Sequence, residues 1–138
     1  MKIAFTIAGA PRTKKNSGRI VRAGKGRKLL PSKAYEQWHK QAEAQAYGIK
    51  AYWRNSGAEF PITESVNVAA TFYRDALRGD LINYCQALAD WLQDVQILDD
   101  DKRIEGWDGS RMAIDRKAPR IVVVITHGDG GGWKEETF

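Results

Sequence analysis

Leu81, Tyr84, Cys85, Leu88, Leu92 and Val95 recur at intervals of three and four residues, the spacing that gathers side chains into one buried stripe along an α-helix. This stripe constrains the fold more than any other feature, because something has to cover it and its neighbours in sequence read as strands. Residues 65–74 are β-branched and partly alternating, and Arg120–Thr126 is an apolar, β-branched run entered through Pro119. Residues 2–8 alternate as a first strand. Tyr35, Trp38, Ala42 and Ala46 lie at helical spacing behind Ser32, a residue suited to cap a helix start. That first helix is expected to end before Gly48, with residues 49–63 crossing irregularly through Trp53, Asn55, Gly57 and Pro61. A short strand is expected around Asp101–Glu105. The order strand, helix, strand, helix, strand, strand predicts one compact α/β (α+β) domain over residues 1–127, a mixed sheet with two main helices packed on it. Residues 128–138, rich in glycine, read as a flexible tail.

Length and composition agree with this. A chain of 138 residues, 43% hydrophobic, is long enough for one domain with a buried core. The longest apolar run, Ile121–Ile125, is far too short to cross a membrane. The first strand breaks at once into a basic loop, which does not suit a signal peptide, so a cytoplasmic protein is expected. Cys85 lies on the apolar stripe and is the one cysteine, which excludes an internal disulfide and points to core packing. His39 and His127 have no Cys or His at ligand spacing and read as structural. Neither a Gly-x-Ser-x-Gly element nor a Gly-Lys-Ser/Thr phosphate loop occurs, which removes serine hydrolases and P-loop nucleotidases.

Charge is distributed unevenly. The chain carries a formal +5, yet residues 75–108 hold nine of its 17 acids: Asp75, Asp80, Asp90, Asp94, Asp99, Asp100, Asp101, Glu105 and Asp108. A hard divalent cation is one reason to tolerate such repulsion, since Mg²⁺ prefers carboxylate oxygens and keeps waters for chemistry; solvated helix and loop positions are the plainer reading of any single one. Asp80 in particular is a natural helix cap. From Pro11 to Lys33 the balance is reversed. Arg12, Lys14, Lys15, Arg19, Arg22, Lys25, Arg27, Lys28 and Lys33 meet no acid, and glycines interrupt the run, so residues 11–31 read as a mobile basic loop fit for a phosphate backbone. On the second helix, Asn83, Gln86, Asp90 and Gln93 share the face opposite the apolar stripe. Trp53 and Trp107 are either core residues or platforms for exposed bases.

In order along the chain, Ala10-Pro11-Arg12-Thr13-Lys14-Lys15-Asn16-Ser17, Pro31-Ser32-Lys33-Ala34-Tyr35, Arg78-Gly79-Asp80-Leu81-Ile82-Asn83, Ala87-Leu88-Ala89-Asp90-Trp91-Leu92, Asp100-Asp101-Lys102-Arg103-Ile104 and Pro119-Arg120-Ile121-Val122-Val123 resemble the motifs of the RusA-type Holliday junction resolvases. These are small, often phage-encoded, Mg²⁺-dependent endonucleases, and the likeness covers residues 3–126. The resemblance implies a homodimer that binds four-way junction DNA and nicks two opposing strands symmetrically during recombination and repair, and it suggests a mobile element such as a prophage as the source. It implies that Asp80 and Asp101 are catalytic and hold Mg²⁺ (or Mn²⁺), with Asp100 as the alternative to Asp101 and with Asp100 or Asp90 as a further ligand. Asn83 would orient a carboxylate or a bound water. Arg12, Lys14, Lys15 and Arg19 would grip DNA phosphates, and Lys102 or Arg103 would offset charge at the scissile one. Two departures stand out: Ile82 replaces a second signature aspartate, although the family includes members without an acid there, and Gln86 replaces a lysine. The competing readings are a junction-binding protein of the same fold with weakened cleavage, and a protein-interaction domain whose acidic loop meets a basic partner.

Overall fold

A computed structural model of the chain describes residues 1–14, 19–24, 26–30 and 32–127. Alternation builds its sheet. β7 (Arg120–His127) lies antiparallel between β1 (Lys2–Ala8) and β4 (Val66–Arg74). The register aligns Ile3, Ile125 and Val68 in one row, Phe5, Val123 and Ala70 in the next, and Ile7, Ile121 and Phe72 in a third. Residues opposite each other across a ladder point to the same side, so these rows form one apolar face, buried except for the partly covered Phe5. Helices α1 (Lys33–Asn55) and α2 (Leu81–Asp94) contribute to the same core through Tyr35, Trp38, Ala42 and Ala46 and through Tyr84, Leu88, Trp91 and Leu92. The Phe72 and Tyr84 rings stack at 5.3 Å, and Trp91 meets Phe5 at 6.0 Å. The mixed sheet with two helices is the fold the sequence predicts.

The free edge of β4 is shared. β5 (Ile104–Gly106) pairs with its start and β6 (Arg111–Ile114) with its end, both parallel to it. Between them the chain leaves the ladder, and two side chains replace the missing backbone bonds. Asn67 accepts from the Asp108 N–H at 2.9 Å and donates to the Asp108 carbonyl at 3.1 Å. The Ser110 hydroxyl accepts from the Ala70 N–H at 3.0 Å and donates to the Val68 carbonyl at 3.2 Å. This explains a buried asparagine on a core strand, since burying its amide costs little once both ends are bonded.

Several expectations are corrected. α1 does not stop before Gly48 but runs to Asn55. Its buried face continues through Ile49 and Trp53, and the Trp53 indole N–H donates to the Ala4 carbonyl at 3.0 Å. That packing outweighs the cost of one helical glycine, about 1 kcal/mol. The segment expected as a basic loop contains an antiparallel ribbon, β2 (Arg19–Ala23) with β3 (Gly26–Leu30), and Gly24 takes the positive φ of 60° that short hairpin turns favour. Asp101–Arg103 form a 3₁₀ turn rather than a strand, and the strand begins at Ile104. Lys15 and the tail 128–138 lie outside the described residues.

Candidate functional site

Asp80 caps α2, as the sequence suggests. Its Oδ1 accepts the Asn83 N–H at 3.0 Å and its Oδ2 accepts the Asn83 side-chain amide at 2.9 Å. Asn83 therefore fixes the carboxylate twice, and each oxygen keeps a further lone pair. The preceding loop is also pinned. The Tyr84 hydroxyl donates to the Arg78 carbonyl at 2.9 Å, and Arg74 donates to the same oxygen at 3.3 Å. Gly79 is obligatory here: its φ is 73°, and a Cβ would stand 2.7 Å from the Tyr84 ring.

The acids beyond α2 rest on a buried anchor. Ile97 and Leu98 are wholly buried, and both their N–H groups donate to the Leu92 carbonyl. The Ile62 N–H donates to the Ile97 carbonyl at 2.8 Å, and the Asp99 N–H returns the bond to Ile62 at 3.2 Å. From this anchor the three aspartates diverge. Asp99 accepts a two-pronged bond from the Arg103 guanidinium, 2.8 Å on each oxygen, which holds its carboxyl below the usual range. Asp100 caps the 3₁₀ turn by accepting the Lys102 N–H at 2.9 Å. The Asp101 N–H donates to the Gln93 side chain at 2.8 Å. Partial burial, a hydrogen bond shared with Asp100 and the charges of Asp100 and Asp90 push the Asp101 carboxyl above the usual range.

Asp90 arrives from the helix. Gln86, one turn earlier, donates to it at 3.1 Å, and Lys14, from the segment after β1, stands 3.4 Å away and 5.5 Å from the centre of the Tyr35 ring. Lys14, Asn83, Gln86, Ala87 and Asp90 line a small cavity of about 90 Å³. On the other side of Gln86 a cavity of about 370 Å³ is lined by Leu81, Ile82, Cys85, Gln86, Ala89, Asp101, Ile104 and Trp107. Burial raises the Cys85 thiol to about 11, which leaves it inert as a nucleophile.

The structure thus places Asp90, Asp100 and Asp101 within one electrostatic group, while Asp80 sits in its own pairing with Asn83. Among the described residues no three His, Cys, Asp or Glu side chains converge closely enough to cage a metal ion. Mg²⁺ needs no such cage, since it binds through one or two carboxylates and keeps its waters. Asp100 and Asp101 could serve as a donor set of that kind, and a cation there would relieve the crowding that raises Asp101.

The remaining candidates divide by what already occupies them. Arg12 faces Asp75 at 3.4 Å and Arg103 is committed to Asp99, whereas Lys102 is exposed. Arg19 begins β2. His39 bridges the helices, with Nδ1 2.9 Å from Glu43 and Nε2 2.9 Å from Asp94, and His127 pairs with Glu64. Gln93 as the anchor of Asp101, and Lys14 as the partner of Asp90, were not assigned from sequence. The shared helical face of Asn83, Gln86, Asp90 and Gln93 held the signal for the first of these. No protein-family model matches the chain, and no curated protein matches it.

Proposed function

We propose that this chain is a cytoplasmic, Mg²⁺-dependent endonuclease that cleaves branched DNA, in the manner of the RusA-type junction resolvases it resembles, acting as a homodimer on four-way junctions. One observation carries the reading: Asp101, the acid that the resemblance aligns with a catalytic carboxylate, is the one whose ionised form is crowded by Asp100 and Asp90. An acid kept in that state, at the edge of a cavity, is where a functional role is expected. Asp101 with Asp100 would hold the cation, with Asp90 in reach and Asp80 on the neighbouring helix start. When bound, Mg²⁺ supplies a Lewis acid for a phosphoryl oxygen and a water of lowered pKa. Gln93 holds the backbone of Asp101, and Asn83 holds Asp80 in one rotamer. Lys14, half exposed beside Asp90, offers its ammonium to the phosphate, and Lys102 offers another.

A labelled synthetic four-way junction and a matched linear duplex, incubated with Mg²⁺ or with EDTA, test this. Paired nicks confined to the junction and absent in EDTA are expected. A binding protein without cleavage is the second reading, favoured by Ile82, which puts an alkyl group rather than a carboxylate on the rim beside Asp101. Junction binding without nicks in Mg²⁺ and in Mn²⁺ would establish it.

A further inference from the structure

The cavity of about 370 Å³ between α2 and β5 is more apolar than phosphate chemistry requires. Ile82 stands at its rim 80% exposed, a large aliphatic side chain left in water beside a group of acids. Trp107 forms another wall, on the segment that Asn67 and Ser110 fix against β4. The cleavage chemistry uses neither residue. We propose that this cavity receives one unstacked nucleobase of the bound strand, with that nucleotide's phosphate on the Lys14 side of Gln86; the inference rests on the strand-cleavage reading.

The chemistry matches in two parts. A base is flat and apolar on its faces and carries donors and acceptors on its edge. The cavity offers the indole of Trp107 and the alkyl groups of Ile82 and Ile104 for the faces, and the Gln86 amide and Asp101 carboxyl for the edge. A nucleotide also carries an anion next to its base. Gln86 lines both this cavity and the small one that contains Lys14, itself paired with Asp90 at 3.4 Å, so the Trp107 and Ile82 wall and the Lys14 ammonium sit on either side of one side chain. The volume is within the range of small-ligand sites. On this view Ile82 is a base contact in the place where the resemblance leads one to look for a metal ligand.

Binding in Ca²⁺ is the test, read by fluorescence anisotropy on four-way junctions carrying a single abasic nucleotide at successive positions around the exchange point. One position is expected to weaken binding roughly tenfold, the scale of one lost base–aromatic stack, and the others little. Ile82→Ala and Trp107→Leu should weaken binding of the intact junction by a similar factor and abolish the discrimination, whereas Lys14→Ala should weaken both junctions alike and flatten the salt dependence. The abasic series uses the unaltered protein, so it does not depend on how the variants fold. If every abasic junction binds like the intact one while Mg²⁺-dependent nicking persists, the base site is overturned and the nuclease reading stands. If Ile82→Ala shifts the monomer–dimer equilibrium and leaves abasic discrimination intact, the rim belongs to a second copy of the chain and the base site is again overturned. A chain that binds no DNA overturns both readings.

Discussion

Asp99 and Asp101 lie two residues apart on the same pinned loop, yet their carboxyls respond in opposite directions. Asp99 is held ionised by a two-pronged bond from Arg103, and its carboxyl lies below the ordinary range. Asp101 has no ion-pair partner among the described residues, shares a hydrogen bond with Asp100 and feels the charge of Asp90, so its carboxyl lies above that range. Three consecutive aspartates read alike in a sequence. What separates them is the 3₁₀ turn, which aims Arg103 back at Asp99 and leaves Asp101 with the acids and the cavity. One acid therefore holds the loop together through an ion pair, and the other is crowded by like charge.

The largest effect is expected on cleavage. Asp101→Asn should reduce Mg²⁺-dependent nicking by about 10²-fold or more, the scale of losing one electrostatic group that acts on the transition state. Asp99→Asn should leave nicking within a few-fold, and equal losses in the two variants would erase the distinction. Next comes the rim: Ile82→Asp adds a carboxylate beside Asp101 and should tighten Mn²⁺ binding roughly tenfold, since affinity follows ligand charge. Unchanged Mn²⁺ affinity, measured by titration, would place the cation elsewhere.

A smaller effect separates the two acids in pH. Protons compete with a cation at Asp101, so cation binding should fall away as pH drops through a value above the ordinary aspartate pKa of about 3.9. Asp99 is depressed, so its stabilising bond with Arg103 is present above that ordinary value and is lost only as pH falls below it. Cation titrations and thermal melts over the same pH series should show cation binding failing first. The smallest effect is on stability. Because the ionised form of Asp101 is disfavoured in the fold, Asp101→Asn should stabilise the fold at neutral pH without added metal, by less than about 1 kcal/mol given solvent screening, and so raise the melting temperature slightly. Asp99→Asn should lower it.

Local pattern made much of this legible. The stripe of α2, the caps Ser32 and Asp80, and the strands β1, β4 and β7 follow from spacing and residue type. The end of α1 is not legible in the sequence, because Gly48 reads as a stop although Ala42, Ala46, Ile49 and Trp53 continue the helical spacing; contact of Trp53 with β1 decides the matter. β6 is four residues long and owes its place to β4, through side-chain bonds of Asn67 and Ser110 made across some 40 positions of sequence. The hairpin β2–β3 was hidden because glycines in a charged segment read equally as mobility or as a turn. At the site, the polar face of α2 was legible from helical geometry. The pairing of Lys14 with Asp90, and the different fates of Asp99 and Asp101, depend on tertiary placement alone.

Mn²⁺ binding measured by electron paramagnetic resonance on the unaltered chain, Asp99→Asn and Asp101→Asn tests the central claim most directly. The account expects bound Mn²⁺ in the first two and little in the third. Equal binding by all three, or loss in Asp99→Asn alone, would contradict it.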